Sequence, residues 1–184
     1  ADFQFIQHAL DAASNGDIVS VWPGSYGQGF TLNFHGKSIQ LLSSDGAAVT
    51  FIERMDGDIS FLFNSDETAA TIVDGFTFSN TPECMSIDGA SPTVRNCVFR
   101  FNSPAVTVTG ATASPSFDTC SFQENSSAFS GHGGALSLSS DSVTELTNCD
   151  FSDNEATDAG GAIDARSRAD WSATDCDFNR NLAG

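Results

Sequence analysis

A chain of 184 residues carries 24 Asp and Glu against seven Lys and Arg, a formal net charge of −17. Such a balance repels polyanions, and with no clustered basic residues to contact phosphates it excludes nucleic acid as a partner. No apolar run reaches the roughly 18 residues a membrane span needs, while the length suffices for one sizeable core or a stack of repeats.

Taken in order, residues 2–14 read as an amphipathic helix, with Ile6, Ala9, Leu10 and Ala13 on one face and Asn15-Gly16 as the stop. Residues 17–22 alternate as a strand and close at the turn Pro23-Gly24. Short β-rich runs follow at residues 30–34, 38–42, 49–52, 59–63 and 71–78, separated by Gly, Asp and Ser.

From residue 70 onward the spacing tightens into a repeat, Cys-x-Phe-x-x-Asn. It comprises Cys97, Phe99 and Asn102; Cys120, Phe122 and Asn125; Cys149, Phe151 and Asn154; and Cys176, Phe178 and Asn181. The cysteines step by 23, 29 and 27 residues, and Phe76-Thr77-Phe78 stands 21 residues earlier with Phe in place of Cys. A second series, Met85-Ser86-Ile87, Val106-Thr107-Val108, Leu136-Ser137-Leu138 and Ile163-Asp164-Ala165, keeps nearly the same steps. A period in the twenties means a solenoid, here with at least two short parallel strands per coil. Equivalent residues then stand about 4.8 Å apart. Cys and Phe form inward columns and Asn a column at the corner. Sixteen Phe suit an enclosed interior, since the ring has no polar tip to satisfy. Five cysteines is an odd number, and four share one repeat position, which favours stacked buried thiols over disulfides and leaves the compartment open.

Gly133-Gly134-Ala135-Leu136 with Phe151-Ser152-Asp153-Asn154, and Gly160-Gly161-Ala162-Ile163 with Phe178-Asn179-Arg180-Asn181, resemble the GGA(I/L/V) and FxxN repeats of polymorphic outer-membrane proteins. Those repeats build passenger domains of bacterial surface autotransporters. The opening, residues 6–13 with Asn15-Gly16-Asp17-Ile18-Val19, Pro23-Gly24-Ser25-Tyr26 and Gly36-Lys37-Ser38-Ile39, is similar to that of pectate-lyase-like β-helix proteins. The resemblance implies an all-β, right-handed parallel β-helix in one domain, residues 1–184. Its helix 2–14 would cap the N-terminal end, coils would fill 17–184, and further coils are expected beyond. The general chirality of parallel crossovers agrees with that hand.

Chemistry is sought on the positions the motif leaves free. Asp150 and Asp177 share a repeat position, with Asn148 and Asp175 two residues earlier. Stacked like charges cost energy unless bridged, so Asp150 and Asp177 are a candidate Ca²⁺ site, the one cofactor suggested; the plain alternative is a solvated acidic face. Gly131-His132-Gly133 resembles a short motif of polygalacturonase-like hydrolases, but the Asp pairs that chemistry needs are absent, which leaves His132 a loop histidine. Arg166 and Arg168, near Asp164 and Asp170, could supply a lyase base but are explained more cheaply as surface ion pairs. Asn125-Ser126-Ser127 is a formal glycosylation acceptor whose Asn the repeat already uses. No catalytic residue is assigned. The expected function is a non-enzymatic extracellular or cell-surface module for adhesion or recognition. It would present the loops 126–132 and 155–159, with Asp150, Asp153, Asp177 and His132, to a glycan or a cell-surface protein. The alternatives are a Ca²⁺-dependent polysaccharide lyase fragment and a structural rod that associates end to end at its C-terminal coil.

Overall fold

The computed structural model describes residues 3–27, 31–53, 60–127 and 132–184. Within them the chain winds as a parallel β-solenoid with three strands per coil. Sheet A runs from Ile18–Val21 through Gln40–Ser43, Ile72–Asp74, Thr93–Arg95, Ser116–Asp118 and Val143–Thr147 to Asp170–Thr174. Sheet B runs from Gly24–Gly27 through Thr50–Glu53, Thr77–Ser79, Val98–Arg100, Ser121–Gln123 and Asp150–Ser152 to Asp177–Asn179. Sheet C holds Leu32–Asn33, Phe61–Phe63, Met85–Asp88, Val106–Thr109, Leu136–Leu138 and Ile163–Ala165. Neighbouring strands pair in parallel with the equivalent residue one coil away.

The expected all-β parallel β-helix with one short helix is therefore present, and its coil has three strands. Several boundaries differ. Residues 71–78 form two strands, Ile72–Asp74 and Thr77–Ser79, because Gly75 turns the chain with φ +81°. The turn expected at Pro23-Gly24 is a corner, with Gly24 opening the next strand. The strands expected over 30–34 and 59–63 are Leu32–Asn33 and Phe61–Phe63, with Phe30 and Ile59 outside the described residues. The connection 155–159 holds a short strand, Glu155–Ala156, paired with Leu182–Ala183. Residues 182–183 therefore stand in register with Glu155–Ala156 one coil earlier.

Equal coil length is enforced at one corner only. From the third coil on, five residues always separate register positions in sheets A and B (Thr93 to Val98, Ser116 to Ser121, Glu145 to Asp150). From sheet B to sheet C the distance is eight residues in one coil, Val98 to Val106, and fifteen in the next, Ser121 to Leu136. The tight corners are made by left-handed residues. Asn96, Thr119, Asn148 and Asp175 precede the cysteines with φ of 52°, 55°, 52° and 54°, and Phe101, Glu124, Asp153 and Arg180 precede the asparagines with φ of 59°, 52°, 56° and 52°. Asn and Asp tolerate this region, whereas the β-branched Thr119 is strained in it.

Between those corners the repeat residues stack. Phe78, Phe99, Phe122, Phe151 and Phe178 form a continuous ring column, with centroids 4.9, 4.8, 4.7 and 4.8 Å apart and the last three ring pairs within 4° of parallel. All but Phe178, on the last coil, are buried. The asparagines form a second column. Nδ2 of Asn102, Asn125 and Asn154 donates to Oδ1 of the next Asn at 3.1, 2.9 and 2.8 Å, and the backbone N–H of the same residues donates to the same oxygen. The other Nδ2 hydrogen of Asn102, Asn125, Asn154 and Asn181 goes to a Phe carbonyl of the preceding coil. Thr81 starts the column by donating through N and Oγ1 to Asn102. Asn125 is 1 % exposed, so its amide is out of reach of a glycosylating enzyme in the folded chain.

The Gly-Gly-Ala units are explained by close approach. Gly133 takes φ +61°, and a Cβ on Gly134 would lie 2.2 Å from the Gly161 carbonyl oxygen of the next coil. The Ala that follows is buried, and Cys84 and Ala105 occupy the equivalent place in earlier coils. Cys84 therefore belongs to a different column from the other four cysteines.

The N-terminal helix α1 spans Ile6–Ala12, shorter than the expected 2–14, of which residue 2 lies outside the described residues. No side chain caps its start, and Ala13 is already extended. Ile6 and Leu10 are buried in the core. Gln7 pairs its carboxamide with the backbone of Asn33, donating to the carbonyl at 3.0 Å and accepting from the N–H at 2.9 Å, as a neighbouring strand would. Lys37 Nζ donates to the carbonyls of Leu10, Asp11 and Ala13, which the helix end leaves open.

Phe151→Ala should lower stability by about 3–5 kcal/mol, because it empties the middle of the ring column. Asn125→Ala should cost about 1–3 kcal/mol for the buried donors it orphans. Thr119→Asn should raise stability by about 1 kcal/mol, through relief of left-handed strain. Urea denaturation midpoints at constant slope check all three.

Candidate functional site

The outward positions of sheet B carry Ser121, Asp150 and Asp177 in one register column. Asp150 accepts from Ser152 Oγ at 3.4 Å. Among the described residues, no group of three or more His, Cys, Asp and Glu is placed to hold a metal ion, so the stacked pair stands without further protein ligands of those types. Asp153 lies at the left-handed corner, where Arg180 of the next coil donates to it through Nε at 2.6 Å and Nη2 at 2.5 Å. This fork holds the Asp153 carboxyl below its ordinary range. Asp141 and Arg168 repeat the device with bonds of 2.5 and 2.9 Å. The expected neighbour of Arg168, Asp170, instead accepts from the Trp171 N–H.

The two variable connections lie against each other. Ser126 bridges to Glu155 and His132 to Ala159, each one coil apart; of residues 126–132, only Ser126, Ser127 and His132 are described, and Gly131 lies outside. At the base of this ridge, Arg166 Nη1 donates to His132 Nε2 at 2.7 Å, and Arg166 Nε stands 2.6 Å from Asp164 Oδ2. The second contact is ionic; its angle falls short of a hydrogen bond, and Asp164 Oδ2 is buried without another partner. His132 Nε2 faces this guanidinium, and Nδ1 is buried without a hydrogen-bond partner. Asp164 is on sheet C in register with Ser137.

The sequence profile described as the right-handed β-helix region matches residues 59–184, more than half of the chain. The chain belongs to the right-handed β-helix family. No curated protein and no solved structure matched it. In this right-handed β-helix the stacked coils bring together His132, Arg166 and Asp164 from two neighbouring coils, while Asp150 and Asp177 stand apart from them on another sheet. What the three do is fix one half-exposed guanidinium, Arg166, between the His132 ring and the Asp164 carboxylate, with its remaining N–H groups unassigned to either.

Two features escaped sequence reasoning. Arg100, outward on sheet B, has a buried Nε without a hydrogen-bond partner. A groove of about 510 Å³ and mixed polarity lies between α1 and the first coil, lined among others by Phe3, Gln4, Phe5, Asp17, Trp22 and Tyr26. Trp22 there is 73 % exposed. The helix pattern placed Ile6 and Leu10 correctly but gave no sign that Phe3 and Phe5 would rim an open space.

The folded Asp153 carboxyl titrates below its unfolded value near 3.9. Its contribution to stability is therefore present above that value and lost as pH falls through the folded one. Arg180→Ala should shift the Asp153 titration upward in an NMR pH series. It should also narrow its stability gap to the wild type as pH drops below about 4.

Proposed function

We propose that this right-handed β-helix protein is a non-enzymatic recognition module of the cell surface or extracellular space, part of a longer surface protein, and that it binds a glycan or a cell-surface protein. The observation that carries this reading is the in-register stacking of the two variable connections, Ser126 on Glu155 and His132 on Ala159, over a corner locked by the asparagine column. Loops fixed on a rigid repeat scaffold are where such proteins place recognition. The GGA(I/L/V) and FxxN resemblance to surface passenger domains supports the same reading. So does the side-chain set of the ridge, in which His132 and Arg166 are bonded to each other and Asp164 neutralises the cation.

The immobilised protein, probed with a glycan array and with intact host-type cells, should show saturable binding without turnover. His132→Ala should weaken that binding about tenfold or more, the loss of about 1.4 kcal/mol, with the thermal midpoint nearly unchanged, whereas Arg166→Lys should weaken it similarly while keeping a cation beside the buried Asp164 carboxylate. Absorbance of an unsaturated product on incubation with uronic-acid polysaccharides would instead establish the lyase alternative and overturn the proposal.

A further inference from the structure

Sheet A begins with the strand Ile18–Val21, whose one ladder partner is Gln40–Ser43. In an extended strand the N–H and C=O of one residue point to the same side, and those of the next residue to the other. Gln40 N–H donates to the Asp17 carbonyl at 3.0 Å, and Ser44 N–H to the Val21 carbonyl at 2.9 Å. Asp17, Val19 and Val21 therefore turn their main-chain groups toward the second coil. The N–H and C=O of Ile18 and Ser20, with the N–H of Trp22, turn away from it. On that outer edge the Trp22 carbonyl already accepts from Tyr26 Oη at 2.7 Å, so the open stretch ends there.

This edge is one wall of the groove beside α1. Residues 17–22 line it in succession, and the facing wall is made by residues 3–6 with Ala9, Ala12 and Ala13. Helix α1 closes the end of sheet C, where Gln7 stands in for a strand against Asn33. No described side chain does the same for Ile18 and Ser20. Main-chain donors and acceptors at strand spacing are matched by another extended polypeptide. Asp17 is the single charged residue of the lining, in a chain of formal net charge −17, so the matching segment is basic. Phe3, Phe5, Trp22 and Tyr26 add ring surface on which apolar side chains, or the stems of Lys and Arg, can lie.

We propose that the groove receives an extended, basic peptide segment of a partner protein, which adds to the open edge of sheet A as a further strand. Main-chain bonds to Ile18, Ser20 and Trp22 fix its register, and Asp17 supplies the counter-charge. The site lies at the opposite end of the stack from the His132 ridge and works independently of it.

The test is a fluorescence-polarisation titration of the folded chain against a labelled library of short peptides that alternate lysine or arginine with valine, threonine or tyrosine. A second library carries glutamate at the basic positions, and amide hydrogen exchange is followed by NMR with and without the basic library. The proposal expects saturable binding of the basic library, with the acidic one weaker by about tenfold or more. It also expects slowed exchange at the Ile18, Ser20 and Trp22 amides. Ser20→Pro removes a donor from the open edge, the one place where a strand tolerates proline, and should lower binding by about tenfold or more with the fold intact. His132→Ala should leave peptide binding unchanged, so that failure of the ridge and failure of this site are told apart. Should Ser20→Pro not fold, exchange at the wild-type amides decides. No binding, unchanged exchange at Ile18 and Ser20, or full binding by a folded Ser20→Pro would each overturn the proposal. So would equal or tighter binding of the acidic library, or protection of the same amides by a second copy of the chain alone.

Discussion

Every coil of this protein takes its backbone hydrogen bonds from the coils on either side, so the distance between coils is the quantity on which the rest of the structure depends. A fixed spacing with strict register means that any residue repeated at one position meets its own copy. Which residues profit from meeting themselves then decides the composition of each column. Phenylalanine rings stack face to face at 4.7–4.9 Å. A carboxamide carries a donor at one end and an acceptor at the other, so asparagine can pass hydrogen bonds along the column without a mismatch. Aspartate cannot, and where it repeats on the outer face as Asp150 and Asp177 it stays toward solvent. Where an acid recurs favourably, the next coil offers arginine, as at Asp153 and Arg180.

The same rule shows which parts of the fold were legible in the sequence. The sheet B columns could be read because identical residues fill them. Sheet A was read only at 17–22, 38–42 and 71–78; its later strands were not, because the inward position changes from Val73 and Val94 to Phe117, Leu146 and Ala173. Its strands also end two residues before the cysteine, too close to register as a separate period. In the first two coils the strands were legible but their common period was not, for another reason. There the corner between sheets A and B spans seven residues, Ile18 to Ser25, then eleven, Gln40 to Phe51, before it settles at five.

The candidate site was legible only in part. Arg166 and Asp164 are neighbours in sequence, but His132 reaches them across 34 residues of chain, and nothing in local pattern announces that meeting. Asp153 was marked as a position the motif leaves free. Its partner Arg180 stands at the same repeat position 27 residues on, so the repeat spacing contained the pairing once coils were taken as the unit.

The unequal corners have a consequence for how such a chain can diversify. Because from the third coil on sheet A passes to sheet B in five residues while the passage from B to C ranges from eight to fifteen, length changes along that seam while sheets A, B and C keep their register. The solenoid in that sense has one fixed edge and its widest variation at the edge between sheets B and C. Foreign sequence spliced between an asparagine of the column and the Gly-Gly pair that follows it would be displayed at a fixed height set by the coil number, and inserts in successive coils would stand side by side.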